Sequence, residues 1–134
     1  MIADLIARLE KAEGPSRELD AEIFAHIGLT ELQESHCRSW CRMAGRTDLT
    51  RERYIDAWAP AYTASIDAAL TLVPDGMWWL IGAGRIRQRE PLYGAQIMRH
   101  DPDPPYTSDV IAEGEHDAGA AVALCIAALR ARLV

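Results

Sequence analysis

The feature that most constrains this chain is its last apolar segment, Ala118 to Val134, where Ala120, Ala121, Ala123, Ala127 and Ala128 separate larger residues. Val122, Cys125, Ile126, Leu129 and Leu133 recur at helical spacing and predict one buried side. Alanine adds little bulk beyond its Cβ, so this helix is thin and suited to close approach against a sheet. Asp117, just ahead of it, is expected to cap it. Arg130 and Arg132 lie near its end, and no stretch reaches the roughly 20 apolar residues of a membrane span. A membrane is therefore not an expected partner.

The sheet is sought upstream. Pro74-Asp75-Gly76 is a strong turn, because Pro presets one dihedral and Gly accepts positive φ. Met77 to Arg87 then reads as a strand, with Trp78, Leu80 and Ile86 on one face and Trp79, Ile81, Ala83, Arg85 and Arg87 on the other. Gln88 to Pro91 connects it to a return strand, Leu92 to His100. Apolar residues on both faces near Trp78 and Trp79 predict a sheet covered on both sides there, with Trp78 in the core. Asp101-Pro102-Asp103-Pro104-Pro105 ends the hairpin, and Gly114 to Asp117 leads into the last helix.

The first part of the chain is helical in pattern. Ile2, Leu5, Ile6 and Leu9 share a face, Gly14-Pro15 stops that helix, and Ser16 caps a second one with Glu18 and Asp20 in its first turn. Leu19, Ile23 and Ile27 form the second stripe, and Gly28 ends it. Thr30 with Gln33 fits a capping box, Cys37 to Met43 fits strand or helix, Gly45 to Thr50 reads as a loop, and Tyr54, Ile55 and Trp58 mark a short element before Pro60. Thr63 is placed as the cap of a helix burying Ile66, Ala69, Leu70 and Val73. The sum is one α+β domain spanning 1–134, a small antiparallel sheet of two to four strands, including the 77–100 hairpin, sandwiched between helices.

Charge and cysteine usage bound the function. The 134 residues carry 14 Lys+Arg against 20 Asp+Glu, a net charge of −6 that argues against a generally basic nucleic-acid binder. Apolar residues at 49% and charged residues at 25% argue against global disorder. Asp4, Arg8, Glu10 and Lys11 interrupt the place of a signal peptide's apolar core, and three cysteines cannot pair completely. Both point to a reduced, cytoplasmic protein.

The run YTASIDAALTLVPDGMWW (Tyr62–Trp79), with ALCIAALRAR (Ala123–Arg132) and AEGPSRELDAEI (Ala12–Ile23), resembles the phage ABA sandwich domain, a family of small bacteriophage and prophage proteins. The residues from Glu31 to Ala61 and the proline segment lie outside the resemblance. It implies an antiparallel sheet held between helices and a bacterial host cell, and it implies no enzymatic activity, catalytic residue or cofactor.

Four residue groups are candidates for chemistry. His36, Cys37 and Cys41, with His26, are zinc-ligand types, but a spacing of four between the cysteines and the lack of a second pair are poor for a tetrahedral site. The competing reading is small buried thiols, and Cys125 in its apolar stripe is a core residue. Gly82-Ala83-Gly84 opens like a dinucleotide fingerprint, but Arg87 stands at the third glycine's position and no helix follows, so the glycines are expected to mark a bulge, a bend or a close backbone approach. Arg85, Arg87, Arg89 and Arg99, beside His100, make the hairpin locally basic and form a candidate face for an anion or single-stranded nucleic acid. Their bland role is as solvated charges or partners of Glu90, Asp101 and Asp103. Trp79 is the candidate interface residue.

No Gly-x-Ser-x-Gly or His-Glu-x-x-His is present; Ser65 with Asp67 is not a set, and His116-Asp117 suits capping. The leading expectation is a non-enzymatic phage or prophage accessory protein that acts through contacts with a phage protein, a host protein or a second copy of itself. The alternatives are an anion-binding module on the arginine face and a zinc protein on the His36/Cys37/Cys41 segment.

Overall fold

The computed structural model describes residues 2–28, 51–84, 92–105 and 108–133. Helices α1 (Ile2–Lys11) and α2 (Arg17–Ile23, continued by a π turn over Phe24–Gly28) come first, then α3 (Arg51–Trp58) and α4 (Ile66–Leu70). Strands β1 (Trp78–Gly84), β2 (Leu92–His100) and β3 (Ser108–His116) follow, and α5 (Ala120–Ala131) closes the order. The strands form one antiparallel sheet in the order β1-β2-β3. The fold is α+β, a three-stranded sheet packed against helices.

Helix α5 is the centre of the packing. It lies on the sheet through β3, β2 and β1, and α1 and α4 pack on it from elsewhere. Every residue from Ala121 to Leu129 is buried, so the alanine side is as enclosed as the expected stripe. Leu133, placed in that stripe by its spacing, is 57% exposed because α5 ends at Ala131. Full burial of Leu124, Ile126 and Leu129 stabilises by about 1.5–3 kcal/mol each relative to exposure. The close approach rests on a second small residue: a Cβ on Gly114 of β3 would stand 2.4 Å from the Ala123 carbonyl oxygen and 2.7 Å from the Ala127 nitrogen. Both are backbone atoms, so thin helix and bare strand are two halves of one contact.

The ends of several elements are set by partners that local sequence does not reveal. Ser16 caps α2, its hydroxyl accepting from Leu19 N–H at 3.2 Å. Ser65, not Thr63, caps α4, accepting from Ala68 N–H at 3.3 Å. That helix is only five residues long, and its buried contributions come from Ala69 and, just past its end, Leu72. Ile66 is 40% exposed, while Leu70 and Val73 are only partly covered. Thr63 is instead buried beside Asp20. The Asp20 carboxylate accepts from Thr63 N–H and from its hydroxyl, both at 2.8 Å, and Arg17 Nη1 donates to it at 3.1 Å. Ser16 N–H donates to Thr63 Oγ1 at 2.8 Å, which ties the start of α2 to the segment ahead of α4. Asp20 thus serves a long-range polar node and not simply the α2 dipole. Gly76 has φ +79° in the turn that delivers the chain to β1, as its sequence requires.

Position 119, not Asp117, is the N-cap of α5, and it is a glycine without a side-chain cap. His116 does the nearby work: its buried Nδ1 accepts from Ala118 N–H at 2.9 Å. Strand β3 itself carries Asp109, Glu113 and Glu115, and it joins the sheet through pairing with β2. The register shifts between Ile97 and Met98, leaving Ile111 as the extra residue on β3.

Candidate functional site

Strand alternation fixes what each side of the sheet presents. Ala95 and Ile97 of β2 and Ala112 of β3 are buried toward α5, with Ile81 and Tyr93 partly covered on the same side. The opposite face carries Trp78, Leu80, Gly82 and Gly84 of β1 beside Met98, Gln96, Gly94 and Leu92 of β2, their direct partners. A shallow trough of about 360 Å³ runs there, floored by glycines and flanked by Leu80 and Leu92 on one side and Glu113 and Glu115 on the other. Gln96 Nε2 donates to Glu113 Oε1 at 3.1 Å across the β2–β3 pair.

Trp78 overturns the core expectation. It is 60% exposed, and its indole meets the His100 ring edge-on with centroids 4.6 Å apart. His100 is anchored in turn to the Ser108 hydroxyl through Nδ1. Trp79, on the α5 side of β1, is 47% exposed, and Leu80 is 56% exposed. The expectation of cover on both faces at this end therefore fails: Trp78 and Leu80 lie on the face away from α5, and on the other face α5 reaches β1 less closely than β2 and β3, which leaves Trp79 open. Among the described strands β1 is an edge, and the candidate interface residue Trp79 stands on it with an exposed tryptophan and leucine beside it. Sequence alone points to Trp79 but does not show that β1 is an edge, and the signal for the rest of the strand is the uncharged run WWLIGAG.

Of the candidate anion-binding residues, Arg85, Arg87 and Arg89 lie outside the described residues. Arg99 is exposed and has Asp109 as its cross-strand partner. Among the described residues the trough lining contains two glutamates and no basic side chain. His36, Cys37 and Cys41 also lie outside the described residues, and His26 is exposed on the π turn. Among the described residues no group of three or more His, Cys, Asp or Glu is placed to hold a metal.

Among the described residues, Cys125, Ser65 and His116 are committed to structure. Cys125 is fully buried and its thiol donates to the Tyr62 carbonyl at 3.2 Å. Burial, and secondarily the charge of Asp20, push that thiol up to about 12, so it holds its proton and is no nucleophile near neutrality. Ser65 is a helix cap and His116 a backbone acceptor. Gly82 and Gly84 mark neither a bulge nor a close approach: the β1–β2 register runs unbroken from Trp78 to Gly84, and a Cβ at either glycine would meet nothing within 4 Å. Among the described residues no helix is long and apolar enough to cross a membrane. Comparison with protein-family models, curated proteins and solved structures returns no match to this chain.

Proposed function

We propose that this chain is a non-enzymatic accessory protein of a phage or prophage, working in the cytoplasm of a bacterial host through protein–protein contacts made at β1. The observation that carries the contact reading is the exposure of Trp78, Trp79 and Leu80 together on one uncharged strand. Tryptophan supplies large contact area at low entropic cost and is enriched at interfaces. The phage origin rests on the sequence resemblance alone.

Site-specific photo-crosslinking in the producing cell tests it. A benzophenone residue at Leu80 is expected to give a discrete protein adduct, identified by mass spectrometry. The same residue at Asp4, exposed on α1, which packs against α5, is expected to give none. Equal adducts from both positions, or none from position 80, would refute a contact site at β1. Expression that stays flat on prophage induction would refute the phage origin.

A further inference from the structure

We infer that β1 pairs antiparallel with β1 of a second copy of this chain, about a two-fold axis through Ile81, joining two three-stranded sheets into one of six. This deepens the reading of β1 as a contact site, rests on it, and names the partner.

The two edges of this sheet are built differently. An open strand edge invites pairing, and proteins blunt it with charge, proline or a bulge. β3 has Asp109, Glu113, Glu115 and the register shift at Ile111. β1 has no charged residue, no proline and an unbroken register with β2. In a chain of net charge −6 it is a strip where two copies meet without opposing like charges.

The order of side chains along WWLIGAG selects the register. In a two-fold antiparallel pair one residue faces its own copy, and opposite residues share a face. With Ile81 at the axis, Trp78 faces Gly84 of the other copy, Trp79 faces Ala83 and Leu80 faces Gly82. All seven residues pair, and each bulky side chain meets a small one. An axis at Leu80 shortens the pair and sets Trp79 against Ile81; an axis at Gly82 leaves both tryptophans outside. The pairing also gives Gly82 and Gly84 a role. Glycine weakens a strand, and among the described residues nothing within 4 Å requires it at either position.

The area suits a modest association. Trp78, Trp79 and Leu80, at 60%, 47% and 56% exposure, leave on the order of 350 Å² of largely apolar surface per copy. With two strand edges and their neighbours, roughly 1,000 Å² would be buried, the low end for a specific interface, so the expected dimer is a weak, reversible one.

Analytical ultracentrifugation of the full chain from about 1 µM to about 1 mM is expected to show a monomer–dimer equilibrium. Ala83→Trp, which opposes Trp79 with a second indole, is expected to raise the dissociation constant at least about tenfold, and Leu80→Lys about a hundredfold. Trp79→Ala combined with Ala83→Trp restores a large residue opposite a small one and is expected to return the constant to within a few-fold of wild type. Circular dichroism checks folding of each variant. In the unmodified protein, amide exchange over 78–84 is expected to slow as concentration rises.

A monomer over the whole range, or a dimer indifferent to Ala83→Trp and Leu80→Lys, overturns self-pairing at β1. Failure of the swap to restore association overturns the Ile81 register. If the chain stays monomeric but Leu80 still crosslinks to a different protein, self-pairing falls while the contact reading stands. If neither is seen, both fall.

Discussion

Replacing Asp20 by alanine is expected to be among the most damaging single changes outside the apolar core. The carboxylate is 1% exposed and accepts two bonds of 2.8 Å from Thr63, one from the backbone and one from the hydroxyl. Its third bond, from Arg17, involves a guanidinium whose side chain is 57% exposed, so solvent discounts it. Hydrogen bonds to a charged group contribute about 1.5–3 kcal/mol each, and a buried N–H left without an acceptor costs about 1–3 kcal/mol. Removing a buried charge returns part of that. The expected net loss is about 3–4 kcal/mol, or about 10–15 °C in Tm for a domain of this size. The Thr63 hydroxyl lies 3.3 Å from the Ser16 carbonyl and retains that acceptor, so the loss falls mainly on Thr63 N–H. Asp20→Asn keeps an oxygen where Oδ1 stands and is expected to cost only about 1 kcal/mol. Urea unfolding followed by circular dichroism, with an unchanged m-value, measures both. Asp20→Ala within 1 kcal/mol of wild type, or Asp20→Asn as harmful as Asp20→Ala, would refute the view that this node ties α2 to the α4 segment.

Two further perturbations test the packing. Gly114→Ala drives a methyl into the α5 backbone and is expected to cost about 3 kcal/mol or more, whereas Gly82→Ala, with open space around it, is expected to stay within about 1 kcal/mol. Equal effects in chemical denaturation would remove the claim of close strand–helix approach. Stability is also expected to fall as pH rises from about 9 towards about 12, approaching about 1.4 kcal/mol per pH unit from Cys125. The sign follows because the native thiol keeps its proton where the unfolded thiol, with its ordinary value of 9.0, has lost it. Denaturation midpoints at stepped alkaline pH check this: Cys125→Ala is expected to lack that component, and an identical pH slope in both proteins would contradict it.

Local pattern was enough wherever an element answers to its own residues. Leu5, Ile6 and Leu9 of α1, Leu19, Ile23 and Ile27 around α2, the Ser16 cap and the Gly76 turn follow from spacing and turn chemistry and are found where expected. The faces of β1 follow from strand alternation, but which face has a neighbour does not. Trp78 is as apolar as any core residue, and only the position of α5 decides that it meets His100 and solvent instead of an interior. Strand β3 was illegible for the same reason: acidic residues at 109, 113 and 115 hide an element whose existence depends on β2.

The candidate site divides the same way. Composition along WWLIGAG marks a strand of unusual apolarity, and sequence alone places Trp79 as a contact residue. That this strand is an edge among the described strands, that Trp78, Trp79 and Leu80 are exposed on it, and that Gly82 and Gly84 meet no other described residue are tertiary facts. The Ala-rich final segment shows the boundary most clearly. Its sequence determined a thin helix fit for a sheet. The structure decided that the helix is enclosed on all sides, because Gly114 with its sheet and the helices α1 and α4, distant along the chain, supply the surfaces that cover it.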